Sequence, residues 1–329
     1  MKMESEEHEV WGDERLEILK DGDYTPTPDG DISKQEMPSW FDSEKFNRAK
    51  KVYKEQFASI NFSHLCGLLL SFYFTKNIKT LRSTGESDTK LSLFHRYLQT
   101  VRHIQKWYEG NVFDINDPAQ RSLSIVRNMH ARVGKKMSAL NDGIVYVSQW
   151  DMAVTQWAFV GPMVLFRSRV GIHGCSEEDY DALIHFWRAI GFLLGIEDQF
   201  NLCHGDYPQV VSACKSLLTK EYKVRVADAS PVSVNMGKSV VAAMSEMQEA
   251  LTWNSISTYI HELVGLPCPD SMGFIDYVCH YLTKFIMLFA LRNSTFRQLF
   301  NDFSRWKLDV ADKKDIKFMS MLQANKSGG

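Results

Sequence analysis

The chain lacks most of the sequence features that mark common binding sites and exported proteins. Its 329 residues contain six scattered cysteines and no CxxC pair. We therefore expect reduced thiols in an intracellular protein, not a disulfide framework or structural zinc. The first residues are acidic and have no apolar core, so no signal peptide is predicted. Gly-rich phosphate loops, HExxH, paired Glu-xx-His, GxSxG and CxxCH are all absent from the sequence.

Concentrated charge and long apolar runs are also missing. The formal net charge is -2, with both signs spread along the chain, so no nucleic-acid partner is expected. The longest apolar runs, residues 65–74 and 285–291, are shorter than the ~20 residues of a spanning helix. We expect no transmembrane helix and a cytoplasmic or peripherally membrane-associated protein. Peripheral contact through one of the two runs stays open as an alternative.

Helical periodicity is what the sequence has in abundance. Nine prolines and 19 glycines interrupt it little, and the pattern predicts an all-α protein with a single large multi-helix domain. Residues 1–37 are expected to be an acidic, disordered arm, 38–307 the helical domain and 308–329 a polar tail. The predicted helices are 42–58, 60–80, 87–109, 117–139, 149–171, 176–195, 206–221, 233–263, 271–291 and 293–307. Strand signals at 144–147 and 222–226 are short and isolated.

The predicted helix 87–109 carries polar residues along one apolar face. Arg96, Thr100 and His103 lie at positions i, i+4 and i+7, which places them on the same side of a helix. Each has a structural explanation, because arginines extend to solvent and a mid-helix threonine bonds to its own backbone.

The predicted helix 117–139 places Arg127 and His130 one turn apart among apolar residues. A single histidine in such surroundings is most often a hydrogen-bonded core residue. The two helices together admit a second interpretation, because a buried arginine needs an anionic partner. Haem propionates would be suitable partners, and a neutral imidazole is the usual proximal ligand of non-covalent haem.

The order of these motifs resembles that of a known family. The segment Arg96-Tyr-Leu-Gln-Thr100 is followed by Arg127-Asn-Met-His130-Ala131, with the two arginines 31 positions apart. Three further segments come next, namely Gln149-Trp-Asp151-Met152, Ser176-Glu-Glu-Asp179 and Trp187-Arg-Ala-Ile-Gly191-Phe-Leu-Leu-Gly195-Ile196. In this order they resemble the latex-clearing rubber oxygenases and MpaB-type oxygenases, over residues 38–200.

The resemblance implies an all-α domain that encloses a pocket for haem b. His130 would be the proximal ligand of the iron. Arg96 and Arg127 would bind the haem through its propionates or through the helices around them, and Thr100 would line the distal pocket. Gln99 stands where rubber oxygenases have a lysine, and its amide would hydrogen-bond oxygen without binding iron.

Two further departures from the family pattern concern the pocket. Gly134 stands where rubber oxygenases carry another arginine, with Lys135 or Lys136 as replacements. For the family's pocket glutamate, Glu86 is the nearest candidate. Rubber itself is therefore not expected to be the substrate.

The function implied by the resemblance is that of a haem-dependent oxygenase. It would use O2 to cleave a carbon–carbon double bond of an apolar, isoprenoid-like small molecule. Gln99 leaves open a haem monooxygenase or peroxidase. A haem- or lipid-binding protein without turnover, and a module of the same fold without haem, are further alternatives. Residues 201–329 and the oligomeric state receive no assignment from the sequence.

Overall fold

The regular structure of the described chain is entirely helical. The computed structural model describes residues 2–28, 32, 35–140, 143–269 and 271–327, with side chains between Glu7 and Ser320. These ranges contain no β-strand, and one isolated bridge joins Pro26 and Ser148. The predicted all-α class is confirmed. Residues 222–226, a weak strand signal, lie in a helical segment.

Fourteen α-helices follow one another along the described chain, and the segments that connect them range from one residue to about twenty. The helices are α1 (Lys2–Asp21), α2 (Ser43–Glu55), α3 (Phe57–Ser71), α4 (Thr75–Arg82), α5 (Lys90–Glu109), α6 (Pro118–Ser138), α7 (Gln149–Leu165), α8 (Glu177–Leu193), α9 (Tyr207–Leu217), α10 (Lys223–Ala227), α11 (Pro231–Met244), α12 (Trp253–Val264), α13 (Phe274–Leu288) and α14 (Ser294–Ser327).

Side-chain caps explain where the central helices begin. The carboxylate of Asp117 accepts a hydrogen bond from the Ala119 amide at the start of α6. Ser148 and Asp151 form a reciprocal capping box on α7, and Ser176 and Asp179 form one on α8. Such side chains satisfy the first amides of a helix, which have no partner within it. The sequence therefore predicts these helix starts well.

The predicted helix 60–80 is divided in two. Its halves, α3 and α4, meet at an angle of 99°. Phe72, Tyr73 and Phe74 occupy the bend and are all buried. Three consecutive side chains point in different directions around a straight helix, so they cannot all face one core. The bend lets all three aromatic rings enter the core.

The predicted helix 233–263 is also divided, into α11 and α12. Thr252 begins the second helix, because its hydroxyl accepts a hydrogen bond from the Ser255 amide. An internal N-cap of this type is a sequence signal for a new helix start. The helical periodicity of the sequence did not indicate this second helix start.

The N-terminal segment differs from the expected disordered arm. Leu16 and Leu19 of α1 are buried against the body of the protein, where α1 packs on α9. Arg15 is also buried, and its guanidinium donates a 2.6 Å hydrogen bond to the Asn201 carbonyl. Because most residues of this segment are polar or acidic, the sequence did not indicate that its few apolar residues pack against the protein.

The C-terminal segment likewise differs from the expected polar tail. Helix α14 continues past residue 307, and Leu308, Ala311 and Asp315 are buried. Their spacing of i, i+3 and i+7 is the periodicity of one helix face. The domain thus extends beyond the predicted boundary at residue 307.

Helices α3 and α7 cross at the centre of the molecule. At the crossing, a Cβ on Gly67 would lie 1.7 Å from the Ala158 carbonyl oxygen, so only glycine permits the contact. Helix α2 packs on α8, and α5 packs on α6 and α11. The apolar run 65–74 is therefore mainly core, which removes it as a membrane contact.

Within the described residues, one unbroken helical stretch has the length and composition of a membrane span, and the bent pair of α3 and α4 has them only when counted together. The unbroken stretch is Phe274–Arg292, which comprises α13 and the turn after it, and 22% of it is buried inside the protein. Core helices and spanning helices share these properties, so length and apolarity by themselves do not establish a span. The stretch is longer than the predicted run 285–291.

A single buried amide ties α14 to the junction of α2 and α3. Asn301 accepts a 3.0 Å hydrogen bond from the Ala58 amide and donates one of 2.9 Å to the Glu55 carbonyl. These backbone groups lie at a helix start and a helix end, where helices lack internal partners. Asn301 therefore replaces two missing backbone partners at once.

We expect Asn301→Ala to lower the free energy of unfolding by roughly 2 kcal/mol or more, because two backbone groups lose their partner. Chemical denaturation followed by circular dichroism measures it. The matched control is Gln298→Ala, an exposed residue of the same helix, which should change stability by no more than ~0.5 kcal/mol. Equal effects of the two variants would contradict the proposed role of Asn301.

Candidate functional site

An apolar cavity of about 390 Å³ lies between α5, α6, α7 and α8. Leu68, Phe159 and Trp187 form much of its wall. The volume is within the roughly 300–1,000 Å³ typical of small-molecule sites. A second chamber of about 160 Å³ adjoins it and shares several wall residues, including Leu68 and Met129. The helix packing therefore encloses a space for an apolar ligand.

His130 lies in the wall of both chambers. Its Nδ1 is buried and has no hydrogen-bond partner among the described residues. Burial, together with the positive charge of Arg96, lowers the pKa of His130 to about 4. The imidazole is therefore neutral at ordinary pH, which is the form that binds a metal.

Arg96 also lies in the wall of both chambers. One amino group donates hydrogen bonds to the Leu81 carbonyl at 3.1 Å, the Thr84 hydroxyl at 3.0 Å and the Ser87 hydroxyl at 3.2 Å. These acceptors are uncharged, and Arg96 forms no salt bridge with a carboxylate of the described chain. Its positive charge is thus available to an anionic ligand.

Thr100 and Gln99 both border the larger chamber. The Thr100 hydroxyl donates a 2.9 Å hydrogen bond to the Arg96 carbonyl, one turn earlier. The Gln99 amide donates to the Asp315 carboxylate at 3.4 Å. We expected the Gln99 amide to hydrogen-bond bound oxygen. In the structure it is hydrogen-bonded to a residue of α14 instead.

Asp315 also orients a histidine at the same wall. His95 Nδ1 lies 2.8 Å from Asp315 Oδ2, and His95 borders the larger chamber. A carboxylate bonded to one ring nitrogen selects the tautomer and leaves the other nitrogen as a proton acceptor. Sequence reasoning missed this pair, because it placed Asp315 in the polar tail.

Arg127 does not belong to the wall of either chamber. Its guanidinium donates hydrogen bonds to Gln35 Oε1 at 2.5 Å and to the Leu193 carbonyl at 3.2 Å. Leu193 is the last residue of α8, where carbonyls lack partners within the helix. Arg127 thus joins α6 to the end of α8, one turn before His130.

Gln149 makes a second connection to the same place. Its amide donates to the Gly195 carbonyl at 3.0 Å and accepts from the Glu197 amide at 3.0 Å. Gly195 has a φ of 98°, the left-handed conformation that glycine adopts without strain. The motifs at 127–131, 149–152 and 187–196 therefore meet in space.

The structure also places the residues at which the sequence departs from the family pattern. A Cβ on Gly134 would lie 2.8 Å from the Tyr146 carbonyl oxygen, so an arginine has no room there. Lys135 and Lys136 are exposed and do not border the cavity. Glu86 borders the larger chamber at an exposed position.

His64 is a buried histidine, and neither of its ring nitrogens has a hydrogen-bond partner among the described residues. Its ring meets Phe159 and Trp187 edge-on, with centroids 5.1 and 5.5 Å away. Burial lowers its pKa to about 3. Since both neighbours form the cavity wall, His64 lies directly behind it, and no motif in the sequence marked it.

Protein ligands alone do not form a metal site in the described ranges. No group of three or more His, Cys, Asp or Glu side chains there is arranged around a metal ion. A haem iron needs only an axial ligand from the protein, because the porphyrin supplies the other nitrogens. His130 meets that requirement, since its ring has an unpartnered nitrogen and lies in the cavity wall.

The lowered pKa values of His64 and His130 make folding sensitive to acid. Below pH ~6.5, the ordinary histidine pKa, the unfolded chain binds protons that the native state does not. The free energy of unfolding should therefore fall as the pH drops from ~6.5 towards the native values. His64→Leu should lessen this fall and change stability at pH ~7 by less than ~1.5 kcal/mol, because no hydrogen bond is lost.

His185→Leu is the matched control for this experiment. His185 is buried, but its Nε2 accepts a 3.0 Å hydrogen bond from the Asp42 amide. Its replacement should cost about 1–3 kcal/mol at pH ~7, because that amide loses its partner. Urea denaturation across the pH range tests both variants. A large loss at neutral pH in His64→Leu would show that His64 has a polar partner.

Comparison with known proteins places this architecture in a family. The family model for the catalytic domain of "ER-bound oxygenase mpaB/B'/Rubber oxygenase" matches residues 65–275, more than half of the chain. A solved structure of latex clearing protein in the closed state is similar in fold, with a TM-score of 0.60 and 14% identity over 83% of this chain and 76% of the other. No curated protein matches. The chain therefore belongs to the mpaB/rubber oxygenase catalytic-domain family.

Proposed function

We propose that this protein is a haem b-dependent oxygenase that acts on an apolar, isoprenoid-like substrate. The observation that carries the proposal is His130, a neutral imidazole with a buried, unpartnered nitrogen in the wall of an apolar cavity. A buried polar atom without a partner is costly. Its presence at this position is explained if the ring binds a group that enters the cavity.

The other cavity residues suit the same cofactor. Arg96 provides a positive charge with uncharged partners, which suits a haem propionate. Phe159 and Trp187 offer flat apolar surfaces to a porphyrin or to the substrate. We assign Arg127 a supporting part, because its contacts hold α6 to α8 and thereby fix the position of His130.

Haem, when bound, supplies the binding and activation of O2. The chain supplies the remaining requirements. His130 would hold the iron, and the apolar wall would exclude water and orient a carbon–carbon double bond. His95, oriented by Asp315, is the wall residue best placed to accept or hold a proton. Thr100 and Gln99 provide polar contacts in the same chamber.

Cleavage of the double bond is the reaction that the family suggests, and hydroxylation or peroxidation is the second candidate. Hydroxylation or peroxidation remains a candidate because the Gln99 amide is hydrogen-bonded to Asp315 and is therefore directed towards α14. The two reactions differ in their products. A haem- or lipid-binding protein without turnover would consume no O2 with any substrate.

We expect His130→Ala to lose haem, since no other residue is proposed to bind the iron. The measurement is the absorption spectrum of protein produced with haem available, with the haem quantified as its pyridine complex. Far-ultraviolet circular dichroism confirms that the variant remains helical.

His103→Ala is the matched control for that variant. His103 also borders the larger chamber, but its Nδ1 is hydrogen-bonded to the Ser122 hydroxyl at 2.6 Å. It should retain haem at the wild-type stoichiometry. Loss of haem from His103→Ala, with normal occupancy in His130→Ala, would refute the assignment of the axial ligand.

Labelled oxygen distinguishes cleavage from hydroxylation. The protein with haem is incubated with ¹⁸O2 and a series of unsaturated isoprenoids, with and without an electron donor such as ascorbate, because hydroxylation requires two electrons and cleavage does not. The products are analysed by mass spectrometry. Cleavage transfers one oxygen atom to each carbon of the broken double bond, so two labelled carbonyl fragments are expected. A single labelled hydroxyl or epoxide product would support the second candidate instead.

A further inference from the structure

The outer side of α13 exposes large apolar side chains along its whole length. They are Phe274, Ile275, Val278, Tyr281, Phe285 and Phe289, the last immediately after the helix, and Phe274 is 84% exposed. Their spacing places them on one side of the helix. The opposite side, with Cys279, His280 and Met287, is buried against the protein. Soluble monomers rarely leave such a continuous apolar surface without a partner.

Helix α14 continues this surface. Leu299, Phe303, Trp306 and Val310 are exposed and follow one another at intervals of three and four residues, so they form one stripe. We call the exposed apolar residues of α13 and α14 the apolar face. It is separate from the cavity that contains His130, because none of these residues borders that cavity.

A second apolar cavity opens onto the apolar face. It has a volume of about 250 Å³ and lies between α3, α13 and α14. Leu282 and Phe303 belong to its wall and are also exposed on the outer surface. Phe62 and Leu65 of α3 form its inner wall. The face is therefore a surface with an apolar opening, which suits a lipid chain better than a flat protein partner.

The charges around the face are mainly positive. Asp276 is the only carboxylate between residues 274 and 300, and it accepts hydrogen bonds from Thr252 at 2.7 Å and Asn254 at 2.9 Å. Arg292 is exposed at the end of α13. Lys284 is neutralised by Glu262 at 2.8 Å. Asp276 is thus hydrogen-bonded to its neighbours, whereas Arg292 remains at the surface. Helix α14 adds four carboxylates. Asp309 and Asp312 pair with Arg102, Asp302 lies 3.5 Å from Arg305, and Asp315 is buried.

The stripe on α14 ends in lysines. Lys313 and Lys317 follow Val310 at the same intervals of three and four residues, and both are exposed. Cations beyond an apolar and aromatic surface are typical of helices that lie in the interface of anionic lipids. In a parallel pair of copies, the same lysines would face each other and repel. The lysines therefore disfavour a parallel pair of copies, and the length and apolarity of Phe274–Arg292 favour a lipid surface.

We propose that the apolar face binds the surface of an anionic lipid bilayer. In this arrangement α13 and α14 lie in the interface, the aromatic side chains enter the headgroup and acyl boundary, and Arg292, Lys313 and Lys317 contact the headgroups. The 250 Å³ cavity then opens towards the acyl chains. The proposal does not depend on haem, because it concerns a different surface of the protein.

The test is co-sedimentation of the full chain with vesicles of phosphatidylcholine, with or without an equal part of phosphatidylserine. Wild-type protein should bind both and prefer the anionic vesicles. The double variant Tyr281→Glu and Phe285→Glu should lower partitioning at least about tenfold, since it puts charges in place of two exposed aromatic rings that would enter the bilayer. The matched control, Leu140→Glu with Val224→Glu, changes exposed apolar residues elsewhere and should bind as wild type.

A variant with altered charge measures the electrostatic contribution to vesicle binding. Lys313→Glu with Lys317→Glu should weaken binding to anionic vesicles by about fivefold or more for each residue. Binding to phosphatidylcholine alone should change little. Circular dichroism verifies that all variants keep their helices.

Two results would overturn the proposal. Wild-type protein that stays in the supernatant with both vesicles, as a monomer, would show that the face does not bind lipid. The second result is that wild-type protein does not bind vesicles but dimerises with increasing concentration, and that the variant Tyr281→Glu with Phe285→Glu stays monomeric. It would identify a second copy as the partner. Sedimentation velocity distinguishes these two results.

Discussion

The position of His130 depends on a set of hydrogen bonds to the C-terminal end of α8. Helix ends present carbonyl oxygens without partners, and here Arg127 binds the Leu193 carbonyl while Gln149 binds that of Gly195. Arg127 belongs to α6 and Gln149 to α7, so both helices are fixed relative to α8. These three helices, with α5, enclose the cavity.

The same arrangement explains why the two arginines of the motif have different environments. Arg96 borders the cavity with uncharged partners, whereas Arg127 contacts Gln35 and the end of α8. One therefore offers charge to a ligand, and the other stabilises the helix that carries His130. A network of this kind holds a ligand-binding residue in place more firmly than packing alone.

Much of the fold was predictable because its signals are local. The helix starts predicted at 117 and 149 agree with those of α6 and α7, whose N-caps are Asp117 and Ser148. Arg96, Thr100 and His130, which the family resemblance grouped together, border the same cavity. The direction of Arg127 was not predictable. Residues three apart differ by roughly 60° around a helix, so a single turn can separate a cavity residue from one that faces another helix.

Features that depend on distant segments were also missed. The pair His95 and Asp315 joins residues far apart in sequence, and no local pattern indicates such a contact. The polar composition of helix α1 and of the end of α14 predicted exposed segments. In the structure both pack against the rest of the protein through a few buried residues such as Leu16 and Ala311. The division at Phe72 reflects the need to bury three consecutive aromatic rings.

The two apolar openings differ in the polar groups of their walls. The inner cavity is lined by Arg96, Glu86 and three histidines, of which His130 is neutral. The outer cavity is mainly apolar, and the one cation in its wall, Lys307, pairs with Glu249. Both lie against α3, whose residues Leu65 and Leu68 belong to the outer and the inner cavity respectively.

The central claim is that His130 binds the iron of a haem in the inner cavity. A crystal structure of the protein reconstituted with haem, with anomalous diffraction collected at the iron edge, tests it most directly. The account predicts one iron peak at bonding distance from a ring nitrogen of His130, with a propionate near Arg96. An iron peak beside another residue, or a cavity occupied by an apolar molecule without iron, would contradict it.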